Sequence, residues 1–197
     1  MRVSPLLALL IVVGCGPVAE APARGPSAGA EDRVPTVAAG DVEARVHART
    51  NAARRGEGLA TLSLDEALAA VARRHSADMV ARGFFGHTAP GGADVNARAA
   101  RDGLACRVRV GDRTLVGFGE NLAQVWTYGR WRETRSAAGV RRTYEARSAD
   151  GVAAETVGGW LESPGHRRNL LAPHATREGV GAAVRPDGAV FVTQVLC

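Results

Sequence analysis

The chain contains no lysine. Its 197 residues carry 25 basic side chains, all of them arginine, beside a high alanine content. An all-arginine set in an alanine-rich chain reads as coding bias, so the net charge of +5 and pI near 10.0 do not by themselves point to a polyanion partner. No nucleic-acid-binding motif accompanies the charge, and no nucleic acid is expected as a partner. Long apolar runs are also missing. The N-terminal "LLALLIVV", Leu6 to Val13, is too short to span a bilayer. No histidine pair has the HExxH spacing, so no local metal chelate exists. Cysteine is scarce, with three in all.

What is present begins at the N-terminus. Met1-Arg2 and the apolar run make a short export signal ending in "VVGC". An aliphatic residue, a small one and then cysteine resemble the lipobox of bacterial lipoproteins. That resemblance implies a signal peptide over residues 1–15, lipidation of Cys15 and a membrane partner through this anchor. The alternative is a secretory peptide cut nearer Ala21 to Ala23. Residues 16–40 are rich in Pro, Gly and Ala without an apolar period, the pattern of a flexible tether. The folded domain is expected over 41–197.

Setting Cys15 aside leaves Cys106 and Cys197. An even pair in an exported chain reads most simply as a disulfide, with two buried free thiols as the alternative. Closing a loop of that length contributes roughly 4–5 kcal/mol in the chain-entropy model.

Asp41 to Arg55 has helix formers throughout and stops at Gly56. In the next helix Ser63 and Glu66 are spaced as a capping box. Leu68, Val71, Ala72, His75 and Met79 share one face before Gly83. Asp94 to Gly103 is a third short helix. "CRVRV" then alternates, Gly111-Asp112 turns, and "TLVGFGENLA" is extended. A helical pattern returns from Gly151 to Glu162, and the C-terminus is a hairpin around "RPDG". Helices, strands, a helix and strands in that order predict an α/β fold: a three-layer α-β-α sandwich with a mainly antiparallel central sheet.

Four segments stand out: "GFFGHTAPGG" around His87, "GENLA" around Glu120, "GWLESPGHRRNLL" around His166, and "FVTQV" near the end. With the helix "HSADMVARGFFGH" and the strand start "GVG", their order resembles the CAP superfamily. That family takes its name from cysteine-rich secretory proteins, antigen 5 and pathogenesis-related proteins. The bacterial, SCP-like branch is the nearer match, over about Asp41 to Cys197. The resemblance implies an open cleft lined by two histidines and two glutamates, the histidines able to hold a divalent metal, often zinc.

Carried over, the histidines are His87 and His166 and the first glutamate is Glu120, with Asn121 beside it. Many eukaryotic members place the second glutamate three residues after the last helix's tryptophan, which here is Ser163. Glu162 is one position early and rotates about 100° away on a helix. Two histidines and one carboxylate predict a weak, exchangeable Zn2+ or other divalent site that only the fold assembles. Protonation of either histidine near pH 6 would release the metal. His75 is expected to be packed in the core, and His47 and His174 to lie at the surface.

Residues 124–150 exceed the compact family pattern. They carry Trp126, Tyr128, Trp131 and Tyr144 with arginines at 130, 132, 135, 141, 142 and 147. Arginines interleaved with aromatics suit a lipid headgroup layer or an acidic polysaccharide, and an insertion packed on its own domain is the third possibility.

For function, the resemblance implies a non-enzymatic, envelope-anchored or secreted module. Its cleft would bind a lipid-like ligand or an envelope partner. The alternative is a hydrolase built on Ser163, His166 and Glu120 or on a metal-bound water. Ser163 lies in Ser-Pro-Gly rather than on a nucleophile elbow, which argues against the triad. Oligomeric state is not legible.

Overall fold

A computed structural model describes residues 32–197. The expected signal peptide, Cys15 and the tether up to residue 31 lie outside the described residues. The domain does not begin as late as residue 41. Helix α1 (Ala39–Gly56) starts earlier, Val37 and Ala39 pack on the core, and Pro35 accepts a hydrogen bond from the Thr127 hydroxyl at 2.6 Å. The last residues of the expected tether are therefore bound to the domain.

After α1 come β1 (Ser63–Leu64), α2 (Glu66–Arg82) and α3 (Val95–Ala100). The expected capping box at Ser63 and Glu66 is not formed. The Ser63 N–H is committed to Thr176 at the start of the β1 pairing. Asp65 caps α2 instead, its Oδ1 accepting from the N–H groups of Ala67 and Leu68 at 3.0 and 3.1 Å. Asp94 caps α3 as expected.

The middle of the chain runs β2 (Arg107–Val110), β3 (Arg113–Val116), β4 (Gly119–Trp126), β5 (Tyr128–Ser136) and β6 (Gly139–Ala146). The stretch "TLVGFGENLA" is thus two strands, parted where Gly117 takes φ 110°. Helices α4 (Ala149–Glu162) and α5 (Pro164–Leu170) precede β7 (Arg177–Val184) and β8 (Ala189–Leu196).

The central sheet has the order β1-β7-β8-β4. All its pairs are antiparallel except β1 with β7, so it is mainly antiparallel with one parallel edge. Each face carries helices. On one, Val42 and Val46 of α1 and Val152, Val157 and Trp160 of α4 meet Val125, Val180, Val190 and Val192 of the sheet. On the other, Leu68, Ala72 and Met79 of α2 meet Val195, Leu122 and Phe191. Trp160 is 1% exposed and donates its indole N–H to the Leu122 carbonyl at 2.8 Å. That bond satisfies the one polar atom of an otherwise apolar anchor.

The motif "GVG" has a steric cause. A Cβ at Gly179 would lie 2.1 Å from Ala69 N, and one at Gly181 would lie 2.0 Å from Arg73 N. Helix α2 therefore rests directly on the β7 backbone, a contact only glycine permits. Cys106 and Cys197 are joined in a disulfide that ties the start of β2 to the chain's last residue.

Of the expected insertion, residues 124–126 complete β4, 128–146 form the β5–β6 ribbon and 149–150 open α4. None of the ribbon's residues enters a core cluster; at its base the Tyr128 ring lies against Gly188 and Arg147 pairs with Glu155 of α4. No helix among the described residues is long and apolar enough to cross a membrane.

Candidate functional site

The sheet ends on one side at β4, and the candidate site lies over this edge. Glu120 and Asn121 are neighbours on β4, so their side chains leave opposite faces of the sheet. Glu120 is 6% exposed. Its Oε1 accepts from His87 Nδ1 at 2.9 Å, and its Oε2 is held by the Arg98 guanidinium of α3. Arg98 also donates to the backbone carbonyls of His87 and Ala93, both at 2.9 Å. The loop carrying His87 is thus fastened by its backbone to Arg98 and by its ring to Glu120.

His75 supplies a third fastening. It is 1% exposed, and its Nε2 meets the Gly86 carbonyl at 3.0 Å. Burial lowers its pKa from the ordinary 6.5, so the neutral form donates here. His75 is packed, as expected, and it positions the loop one residue before His87.

His166 arrives from the other side. The helix does break at Ser163, which is extended with φ −88° and ψ 118°. However, Pro164 and Gly165 do not merely end α4. Proline sits in the first turn of α5, where its missing N–H costs nothing, and His166 is in that same turn. The two rings meet with centroids 6.3 Å apart. Burial, and then the charge of His87, lower the pKa of His166 from 6.5.

Buried polar groups fix α5 against the sheet. Asn121 is 0% exposed. Its amide donates to the His166 carbonyl at 3.2 Å and to Gln194 Oε1 at 2.9 Å, and its own oxygen accepts from Asn169 at 3.0 Å. This corrects the expectation that Asn121 lines the cleft: every polar atom of its side chain is spent inside the protein. Gln194 in turn donates to the fully buried Glu178, which also holds His47 Nδ1 at 2.7 Å. His47 is therefore tied into the core rather than loose at the surface. That hydrogen bond raises its pKa above 6.5. At the far end of α5, the buried Arg54 donates to the carbonyls of Leu170 and Ala172.

The remaining expected residues fall outside this constellation. Glu162 is the exposed last residue of α4, without a partner among the described residues, and no second glutamate joins His87 and His166. Ser163 is the joint between two helices, and its hydroxyl caps neither. Glu120 orients His87 rather than His166, so the triad Ser163, His166 and Glu120 is not assembled.

The donor set fits a divalent ion only loosely. Glu120 on Nδ1 leaves His87 Nε2 as the ligand atom, the carboxylate–histidine arrangement common behind bound zinc. Ligand nitrogens lie about 2.0–2.1 Å from zinc, so two rings 6.3 Å apart need little movement to share an ion. Among the described residues, however, no group of three or more His, Cys, Asp or Glu converges on one point.

Sequence reasoning found His87, Glu120 and His166 and missed Arg98, Asn169, Gln194 and Arg54, which hold them. The signal for Gln194 was there in "FVTQV": a glutamine among apolar residues of a buried strand must be satisfied.

Comparison with known proteins gives the same picture. The model of the cysteine-rich secretory protein family, CAP, matches residues 47–196. A Bacillus subtilis (strain 168) protein, described as uncharacterized protein YkwD, is 28% identical over 154 residues, 78% of this chain and 46% of its own. This chain thus spans less than half of that relative. A crystal structure of a Bacillus anthracis str. Ames extracellular protein containing a SCP domain is similar with TM-score 0.55 and 29% identity. The match covers 80% of this chain and 40% of that one. An outer surface protein of Borrelia burgdorferi shares the fold at TM-score 0.53 and 13% identity, over 83% of this chain and 96% of its own. With three quarters of its length matched by the family model, the chain belongs to the cysteine-rich secretory protein family.

Proposed function

We propose that this protein is a non-enzymatic ligand-binding module working outside the cytoplasm, held to an envelope membrane through a lipid on Cys15. The binding site is the cleft over β4 where His87 and His166 face each other. The observation that carries this reading is the meeting of those two rings, 6.3 Å apart, from a loop and a helix each fastened by buried groups. A pair held so firmly is built to present something. The disulfide supports an oxidising compartment, and relatives described as extracellular or outer surface proteins support the same location.

Phe85, 51% exposed on the same loop two residues before His87, leaves an apolar ring available to a ligand with a hydrocarbon part. A divalent ion on His87 and His166 would act as a Lewis acid toward a ligand carboxylate or phosphate, and with two ligands it would exchange freely. Against a hydrolase stand the unaligned Ser163 and the commitment of Glu120 to His87 and Arg98. The test uses a fluorescent fatty acid and a p-nitrophenyl ester on the same preparation. Saturable fatty-acid binding that Phe85→Ala and His166→Ala both weaken, with no ester turnover, supports the reading. Turnover abolished by His166→Ala overturns it.

A further inference from the structure

The charge of the molecule is concentrated in one place. Residues 128–147 hold six arginines and two glutamates, a net +4 of the chain's +5. The rest of the chain is nearly neutral, so the positive field belongs to the β5–β6 ribbon and not to composition at large.

Register sorts the ribbon into two faces. Trp131 lies opposite Tyr144, Glu133 opposite Arg142 and Arg135 opposite Val140 on one of them. Along this face the rings of Trp126 and Tyr128 lie 5.6 Å apart and those of Tyr128 and Tyr144 5.0 Å apart. Beyond Tyr144 lies Trp131, with the Arg142 guanidinium 5.7 Å from its ring centre. Trp131 and Val140 are each 54% exposed. Glu133 is paired with both Arg135 and Arg142, so it leaves this face net positive. Arg132 lies on the other face, opposite Thr143.

The described chain also starts here. The Asp32 carboxylate accepts the Arg142 backbone N–H at 2.6 Å, so the first described residue lies beside β6. Cys15 precedes Asp32 by 17 residues.

We propose that the β5–β6 ribbon is a second membrane contact. It seats Trp131 and Val140 at the headgroup boundary of an anionic bilayer while its arginines pair with lipid phosphates. Exposed apolar groups on the same face as Arg135 and Arg142 favour a bilayer over an acidic polysaccharide, which offers no hydrocarbon to cover them. This surface is separate from the cleft, so its test does not depend on cleft ligands.

Residues 16–197, made without the lipid, are sedimented with vesicles of phosphatidylcholine alone or with phosphatidylglycerol added. Binding to the anionic vesicles only, weakening with salt, is expected. Arg135→Gln and Arg142→Gln, on the Trp131 face, should each reduce it about fivefold, and Trp131→Ala should reduce it further. Near-ultraviolet circular dichroism checks that each variant stays folded. The proposal is overturned by equal binding to both vesicles, by anionic binding that the variants leave unchanged, or by capture on polygalacturonate without vesicle binding.

Discussion

Replacing Glu120 by glutamine isolates what holds the His87 loop. The side chain keeps its shape and loses its charge, while Arg98 remains with a side chain 9% exposed against 3% for Glu120. A buried cation that loses its carboxylate costs about 3–5 kcal/mol. Arg98 still donates to the His87 and Ala93 carbonyls, which places the expected loss near the lower end, about 3 kcal/mol. Urea denaturation reads this as a lowered midpoint at unchanged slope. Adding Arg98→Met to Glu120→Gln removes the stranded charge and should recover more than half of the loss. A loss below about 1 kcal/mol for Glu120→Gln alone would show that the pair is solvated and does not hold the loop.

Two further outcomes follow from the geometry. Gly181→Ala should prevent folding or cost more than about 3 kcal/mol by thermal unfolding, because the new Cβ would lie 2.0 Å from Arg73 N. An ordinary melting curve would show that α2 can move off β7. In a histidine titration by NMR with chelator present, His47 should titrate above 6.5 and His166 below it. By linkage, the stabilising contribution of His47 is complete below pH 6.5 and is lost as pH rises through its raised value. His166 works in the other direction, destabilising as pH falls below 6.5 toward its lowered value. The reverse order of the two titrations would contradict the assigned partners.

The layer order of the fold was legible because periodicity reports burial in the α2 stripe from Leu68 to Met79 and the "RPDG" turn marks the C-terminal hairpin, and both match the structure. Elements set by long-range pairing were not. Ser63–Leu64 carries no strand signal, and it becomes β1 only because β7 offers an open edge. In the arginine-rich ribbon Glu133, Arg135 and Arg142 share a face with Trp131, Val140 and Tyr144, so no clean alternation gives its register away. At the site, motifs gave the positions of His87, Glu120 and His166. Which carboxylate serves which histidine is a matter of three-dimensional reach, and so is the inward turn of Asn121. The break at Ser163 was visible in Ser-Pro-Gly, but the new helix beyond it depends on Asn121 and Arg54, far away in sequence.

The central claim is that His87 and His166 present one shared site. Calorimetric titration of residues 16–197 with zinc tests it most directly, beside His87→Ala and His166→Ala. The account predicts weak binding near one to one that either substitution abolishes and that fades in acid, since the ligands must be deprotonated. Zinc binding that survives both substitutions, or no binding by the folded wild-type protein, would contradict it.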